Sequence, residues 1–336
     1  MRNTWFCVFL LGVGCIFSCV NKPEIPDVTG ISIDSKVMRF ENDLFAFKGK
    51  EMNENDVQQL KEKYGLLFDR FVQRIIRVGK PDDPSLAYYL TSFVNDENVY
   101  DVYVDCEKKY RDFSRYEKEL EDAFKLHKYY LTEAVTPAIY TFVSGFNYAI
   151  AADDSMLAIG LDMYLGKDCK YYPLLGLPGF KIKNMQEQYI VSDAVFSWLS
   201  VEFEEPQTAN DLIGKMVYFG KLYYALKKLL PEKHDTLLTG FTAKQLEWCY
   251  NNEKEIWAYF VNNNLFFNQE QTVITKFMGD APFTPGFPEG SPGRVGHWLG
   301  WQIVKNYVKQ QSDLPLSDLM KETDYHKIFN QSKYKP

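Results

Sequence analysis

The sequence predicts an α+β fold, mainly helical with a small, mostly antiparallel sheet. Two observations carry that prediction. Alternating and β-rich runs are confined to the first half of the chain, and from about residue 190 almost every segment has helical spacing. Strands and helices also do not take turns, as a βαβ repeat would require. Aromatic residues make up 16% of the chain, enough for a sizeable core.

The elements follow in order. Residues 31–47 open with alternation at Ile31, Ile33, Val37 and Phe40, which reads as a strand and a short turn. Asn53 caps a helix whose apolar positions run through Leu60, Tyr64, Leu67, Phe68, Phe71 and Ile75. A short helix spans 84–93. Residues 99–104 alternate like a strand, with a helix start as the other reading. A charged amphipathic helix covers 108–130. Residues 138–146, 148–152 and 156–165 form two or three strands of a meander, with Asp153-Asp154-Ser155 as a hairpin turn. A loop with two prolines fills 167–179. Helices then occupy 193–203, 211–230, 242–251, 253–267, 273–278 and 294–309.

The N-terminus sets the address. Arg2 precedes an apolar run that is too short to span a bilayer, where about twenty residues are needed. The run ends Ile16-Phe17-Ser18-Cys19, which resembles a bacterial lipobox. Residues 1–18 are therefore expected to be a lipoprotein signal peptide and Cys19 the lipidated residue. The other reading is an ordinary secretory signal, with Cys19 incidental. Residues 19–30 read as a polar tether and 31–336 as a single domain. The acyl chains would anchor the protein in the cell envelope. The residues after Cys19 lack a clear acidic cluster, which favours the periplasmic face over the cell surface.

Composition excludes several functions. The net charge is −7, and one unit more negative once Arg2 leaves. That argues against nucleic acid and against electrostatic adsorption to anionic lipid. Cys106, Cys169 and Cys249 match no zinc or CxxC spacing; one disulfide plus a thiol, or three thiols, are both open. HExxH, GxSxG, Walker A and GxGxxG patterns are absent, so no metal and no cofactor is expected. His127 and His234 read as solvated, and Glu202 as part of an exposed acidic cluster. Asp153 and Asp154 read as turn residues. Asp162, at a strand end, is either a cap or a base or ligand. Residues 288–301 hold four glycines, two prolines, Arg294, His297, Trp298 and Trp301 at a helix start. They are either an anion site or a tightly packed helix start.

The lipobox, Val37-Met38-Arg39-Phe40, Gly160-Leu161-Asp162-Met163-Tyr164-Leu165-Gly166, Gln245-Leu246-Glu247-Trp248-Cys249 and Ser291-Pro292-Gly293-Arg294 resemble the GldB family of gliding-motility lipoproteins of Bacteroidetes. The resemblance covers nearly the whole mature chain. It implies a distant similarity to zinc peptidases of the gluzincin type, and so a degenerate zincin fold. In those enzymes one helix carries HExxH and a later helix a glutamate ligand. Gly220-Lys221-Leu222-Tyr223-Tyr224 is expected in the place of HExxH, with Glu253 or Glu255 as the third ligand's remnant. Such a set would hold no zinc, and Lys221 would pair with the glutamate. The expectation is a non-catalytic envelope lipoprotein, a pseudo-peptidase that binds a protein, peptide or cell-wall partner. Its candidate binding residues are Asp162, Lys221, Tyr224, Glu253, Arg294, His297 and Trp298. The alternative is a hydrolase with non-zinc chemistry in the same cleft, which would need Asp162, Lys221, Glu253, Arg294 and His297 to converge.

Overall fold

A computed structural model describes residues 25–33 and 36–336. The expected signal peptide and Cys19 lie outside the described residues. The chain begins with β1 (Val37–Arg39) and α1 (Phe40–Phe45). Next come α2 (Glu54–Tyr64), α3 (Leu66–Arg70), a π turn, α4 (Leu86–Asn95), α5 (Glu97–Tyr110) and α6 (Ser114–Tyr130). Strands β2 (Ala138–Phe142), β3 (Ile150–Asp153) and β4 (Met156–Gly160) complete the sheet. Two one-turn helices follow, α7 (Tyr171–Leu174) and α8 (Gly179–Ile182). The second half is α9 (Ile190–Glu202), α10 (Leu212–Leu229), α11 (Asp235–Thr239), α12 (Ala243–Asn251) and α13 (Glu253–Asn262). The last four are α14 (Gln271–Met278), α15 (Val295–Gln310), α16 (Leu316–Lys321) and α17 (Tyr325–Ser332).

The fold is mainly helical with a small sheet, as the sequence predicts, but the sheet is not mostly antiparallel. Its order is β1-β2-β4-β3, with β1–β2 and β2–β4 parallel and only β3–β4 antiparallel. A meander would pair the strands in sequence. Instead β4 returns from the Asp153-Asp154-Ser155 hairpin into the space between β2 and β3. Every residue of β4 is buried, as a strand covered on both faces must be. That leaves β3 on the rim, half-buried, with α9 packed against it.

Residues 99–104 are helical rather than extended. Asp96 caps α5 by accepting from Val99 N at 3.0 Å, and Val102, Cys106 and Tyr110 recur every four residues on its buried face. The helix expected over 108–130 is two, because the chain turns at 111–113. Asn53 caps α2 in a full capping box with Asp56.

The core of the second half is the crossing of α10 and α15. Glycine is required there. A Cβ on Gly300 would lie 1.8 Å from the Met216 carbonyl oxygen, and one on Gly220 2.3 Å from that of Gly300. The backbones touch, so no side chain fits. Among the described residues Cys106, Cys169 and Cys249 are free thiols, with Cys106 and Cys249 buried. His127 is buried rather than solvated, and its Nε2 lies 2.5 Å from a Glu202 carboxylate oxygen. Glu202 is therefore part of a pair joining α6 to α9.

Candidate functional site: a cleft beside the open strand

A cavity of about 490 Å³ opens beside the start of β3. One wall is Phe146, Asn147 and Ala149, leading into the strand, and the floor is Tyr164, Asp193 and Phe196. Tyr223 of α10 and the 292–294 loop close the far side, and the excursion that contains α7 and α8 lies across the top.

Two acids line this cleft: Asp280, which pairs with Arg294, and Asp193. Asp193 sits in the first turn of α9 and is the only charged residue of that helix before Glu202. One carboxylate oxygen, Oδ2, accepts a 2.9 Å hydrogen bond from the Tyr164 hydroxyl. Protein surrounds the carboxyl except on its cavity side. This burial pushes its pKa up to about 6, against the Tyr164 bond and the Arg294 charge, which both favour the anion. Asp193 thus keeps its proton to a higher pH than an ordinary carboxyl.

The opposite wall is basic. Arg294 adopts a left-handed backbone, φ 57°, immediately before α15. Its Nη2 donates to the Thr239 carbonyl at 3.2 Å, and its Nε lies 3.1 Å from an Asp280 carboxylate oxygen. Lys183 donates to Gln245 Oε1 at 3.0 Å. Burial, then the nearby Arg294, lowers its pKa. Gln245 also closes the capping box of α12 with Thr242, so that helix start and the basic wall share one residue.

Asp162 stands behind the wall rather than in the cleft. Its Oδ2 accepts from Ser144 N at 3.1 Å, Phe146 N at 2.6 Å and Ser144 Oγ at 3.3 Å. Asp162 thus holds the 144–146 turn and does not cap the turn that follows it. Its burial is complete, and its pKa rises to about 6. Phe146, held at φ 69° by this contact, lines the cavity.

The other candidates scatter. Lys221 leaves the cleft and donates to the carbonyls of Met320 and Glu322, at 3.1 and 2.6 Å. It lies over the Tyr325 ring and makes no pair with a glutamate. Glu253 accepts from the Tyr334 hydroxyl instead. Tyr224 is half-buried with Lys228 over its ring, and only its neighbour Tyr223 reaches the cavity. His297 stacks on Phe219, centroids 3.9 Å apart, and neither ring nitrogen has a hydrogen-bond partner. Burial, then the Arg294 charge, holds its pKa well below the usual value; the Met278 backbone opposes only weakly. Trp298 is buried core. Of the five residues whose convergence an enzyme would need, only Arg294 lines the cavity.

Among the described residues no three His, Cys, Asp or Glu side chains stand close enough to share a metal ion. The zinc site of the gluzincins therefore finds no fitting donor set here. Sequence reading missed Asp193, Tyr164, Lys183 and Tyr223. A lone acid in the apolar stretch Ile190-Val191-Ser192-Asp193-Ala194-Val195-Phe196 was the available signal for Asp193.

The fold and cleft define a helical α+β body with a polar-floored groove beside β3, the strand that ends the sheet among the described residues. The chain belongs to the family of gliding motility protein GldB, which it matches over residues 21–336. It is thereby a gliding-motility-associated protein of a lipoprotein family. No curated protein and no solved structure matches it. Among the described residues no helix is long and apolar enough to cross a membrane.

Proposed function

We propose that this protein is a lipid-anchored envelope component that binds an extended peptide segment of a partner in the cleft, without zinc chemistry. One observation carries the reading: β3 ends the sheet, and the cavity opens directly at its start. A rim strand beside a side-chain pocket is the arrangement used in recognition by strand addition. The Gly160 N–H bonds to Ala149 O. By the antiparallel alternation, Ala151 and Asp153 face β4, and Ile150 and Ala152 turn their backbone groups outward. These offer the ladder for a peptide, whose side chains would meet Asp193 and the basic wall.

The periplasmic face of the envelope belongs to the same proposal, on the tether composition.

The test is a photo-crosslinking residue in place of Phe180, in the native organism. It should give an adduct with a protein or peptide, and Ala152→Pro should abolish that adduct by removing one outward N–H from a rim strand that tolerates proline. An adduct of undiminished yield in the Ala152→Pro protein would overturn strand addition. The second reading, hydrolysis, has one observation in its favour: a carboxyl that keeps its proton to a higher pH than usual, beside a phenol. Turnover of a bound peptide that is lost in Asp193→Asn would establish it.

A further inference from the structure

The excursion between β4 and α9 has a second face. Its inner residues, Leu177, Phe180 and Lys183, line the cleft. Its apex turns the other way. Leu174 is 84% exposed and Leu175 50%, beside Pro173 and the left-handed Gly176. No other large apolar side chain of the described residues is as exposed as Leu174.

This exposure is built in. Tyr172 is fully buried two residues before Leu174, and its hydroxyl donates to Asp162 O at 2.8 Å and accepts from Leu165 N at 2.9 Å. Tyr171 donates to Asp105 at 2.9 Å. Gly166 N bonds to Met185 O at 3.0 Å, which ties the two ends of the excursion together. With the roots fixed, the two leucines cannot turn back into the core.

Charge around the apex runs against the rest of the chain. Lys167, Lys170 and Lys181 are exposed on the excursion, against one exposed acid of its own, Asp168; Asp105 of α5 lies 3.9 Å from the Lys170 ammonium, and Lys181 also borders the cleft. The whole chain is at −7. Lys170 lies over the Tyr171 ring, 4.8 Å from its centroid. From the tip inward the order is leucine, then tyrosine and lysine. A bilayer presents acyl chains below an anionic headgroup layer, which is the matching order.

We propose that the 167–181 excursion is an interfacial membrane contact, with Leu174 and Leu175 in the acyl boundary and the lysines on anionic phospholipid headgroups. Two leucines and a few lysines make too small a patch for a stable protein interface, which buries about 800 Å² on each side. Shallow insertion needs no such area. Sequence length agrees, because five residues separate Cys19 from Ile25 and span at most about 20 Å. A body tethered so closely, on the lipidation reading above, stays beside the bilayer. Net charge alone excludes such adsorption; the local lysines restore it.

The test uses the unlipidated chain from Val20 onward, which contains the whole described body. It is sedimented with vesicles of equal parts phosphatidylglycerol and phosphatidylethanolamine, and with pure phosphatidylcholine. Binding to the anionic vesicles is expected, weakening with salt. Leu174→Asp with Leu175→Asp should lower the partition coefficient about tenfold or more, with an unchanged circular dichroism melt. Lys167→Ala and Lys170→Ala together should weaken the preference for anionic lipid. Three results overturn the proposal: no sedimentation with either vesicle, equal binding by the double leucine variant, or leucine-dependent self-association without lipid, which would make the apex a protein-docking surface.

Discussion

The Tyr164 hydroxyl reaches across to Asp193 and donates a 2.9 Å hydrogen bond to its Oδ2, joining the turn after β4 to the first turn of α9. This bond stabilises the anion and thereby limits how far burial raises the Asp193 pKa. Tyr164→Phe removes it. The Asp193 pKa should then move above its present value of about 6, read by carboxylate carbon NMR through a pH titration. An unmoved or lowered value would show that Tyr164 does not tune the acid.

Both Asp193 and Asp162 hold protons more tightly folded than unfolded. The unfolded carboxyls release theirs near the ordinary value of 3.8. Between about 4 and 6 the folded state therefore binds more protons, and these two groups make stability fall as pH rises. Above about 6 their effect is constant. Asp193→Asn should stabilise the protein at pH 7 by about 1 to 2 kcal/mol, allowing for water on the cavity side. It should have little effect near pH 4. Denaturant midpoints at the two pH values decide it.

His297 acts in the opposite sense. Its pKa is well below 6.5 in the folded state, so on acidification the unfolded chain takes up a proton that the folded chain refuses. Stability from this group is lost as pH falls below about 6.5. His297→Phe keeps the ring against Phe219 and removes the proton site. The variant should hold its midpoint better than the parent in acid, with the two curves converging above pH 7.

At the α10–α15 crossing, Gly300→Ala places a methyl group 1.8 Å from the Met216 carbonyl oxygen. The helices must move apart, and the expected loss exceeds about 3 kcal/mol. Gly290→Ala is the matched control, since its Cβ would meet nothing nearer than 3.7 Å, at Trp248. Comparable melting temperatures for the two variants would refute the close-approach account.

Lys221 tests the correction to its expected role. Its ammonium holds the Met320 and Glu322 carbonyls, with a pKa lowered to about 8 by burial. The unfolded lysine titrates near 10.5, so this group makes stability rise between about pH 8 and 10.5. Lys221→Met leaves both carbonyls without that donor. Hydrogen exchange should quicken in α16 and α17, with the cleft residues around Asp193 unaffected. Faster exchange at α9 as well would place Lys221 back in the site.

Several of these features were legible from the residues alone. Asn53 announced a capped helix, and the paired aspartates with Ser155 announced the hairpin, because these are contacts between near neighbours. The family motifs were legible for the same reason, being contiguous strings. Residues 99–104 misled because alternation over six residues fits either period, and burial of Val102, Cys106 and Tyr110 on one face decided for helix. Lys221 misled because a motif position says nothing about which way a helix turns.

The sequence by itself determined the class of fold, the placement of most helices, the single hairpin turn and the family. These depend on local propensity and on the period of apolar residues, which a chain carries in its order. Only the tertiary structure decided that β4 inserts between β2 and β3, that β3 is left on the rim, and that Asp193, Tyr164, Arg294 and Lys183 share one cleft. Those residues are far apart in the chain and come together through packing over long loops, where no periodic signal reports the partner. The same packing took Asp162, His297 and Lys221 out of this cleft, because backbone groups hold Asp162 and Lys221 elsewhere and His297 is stacked on Phe219.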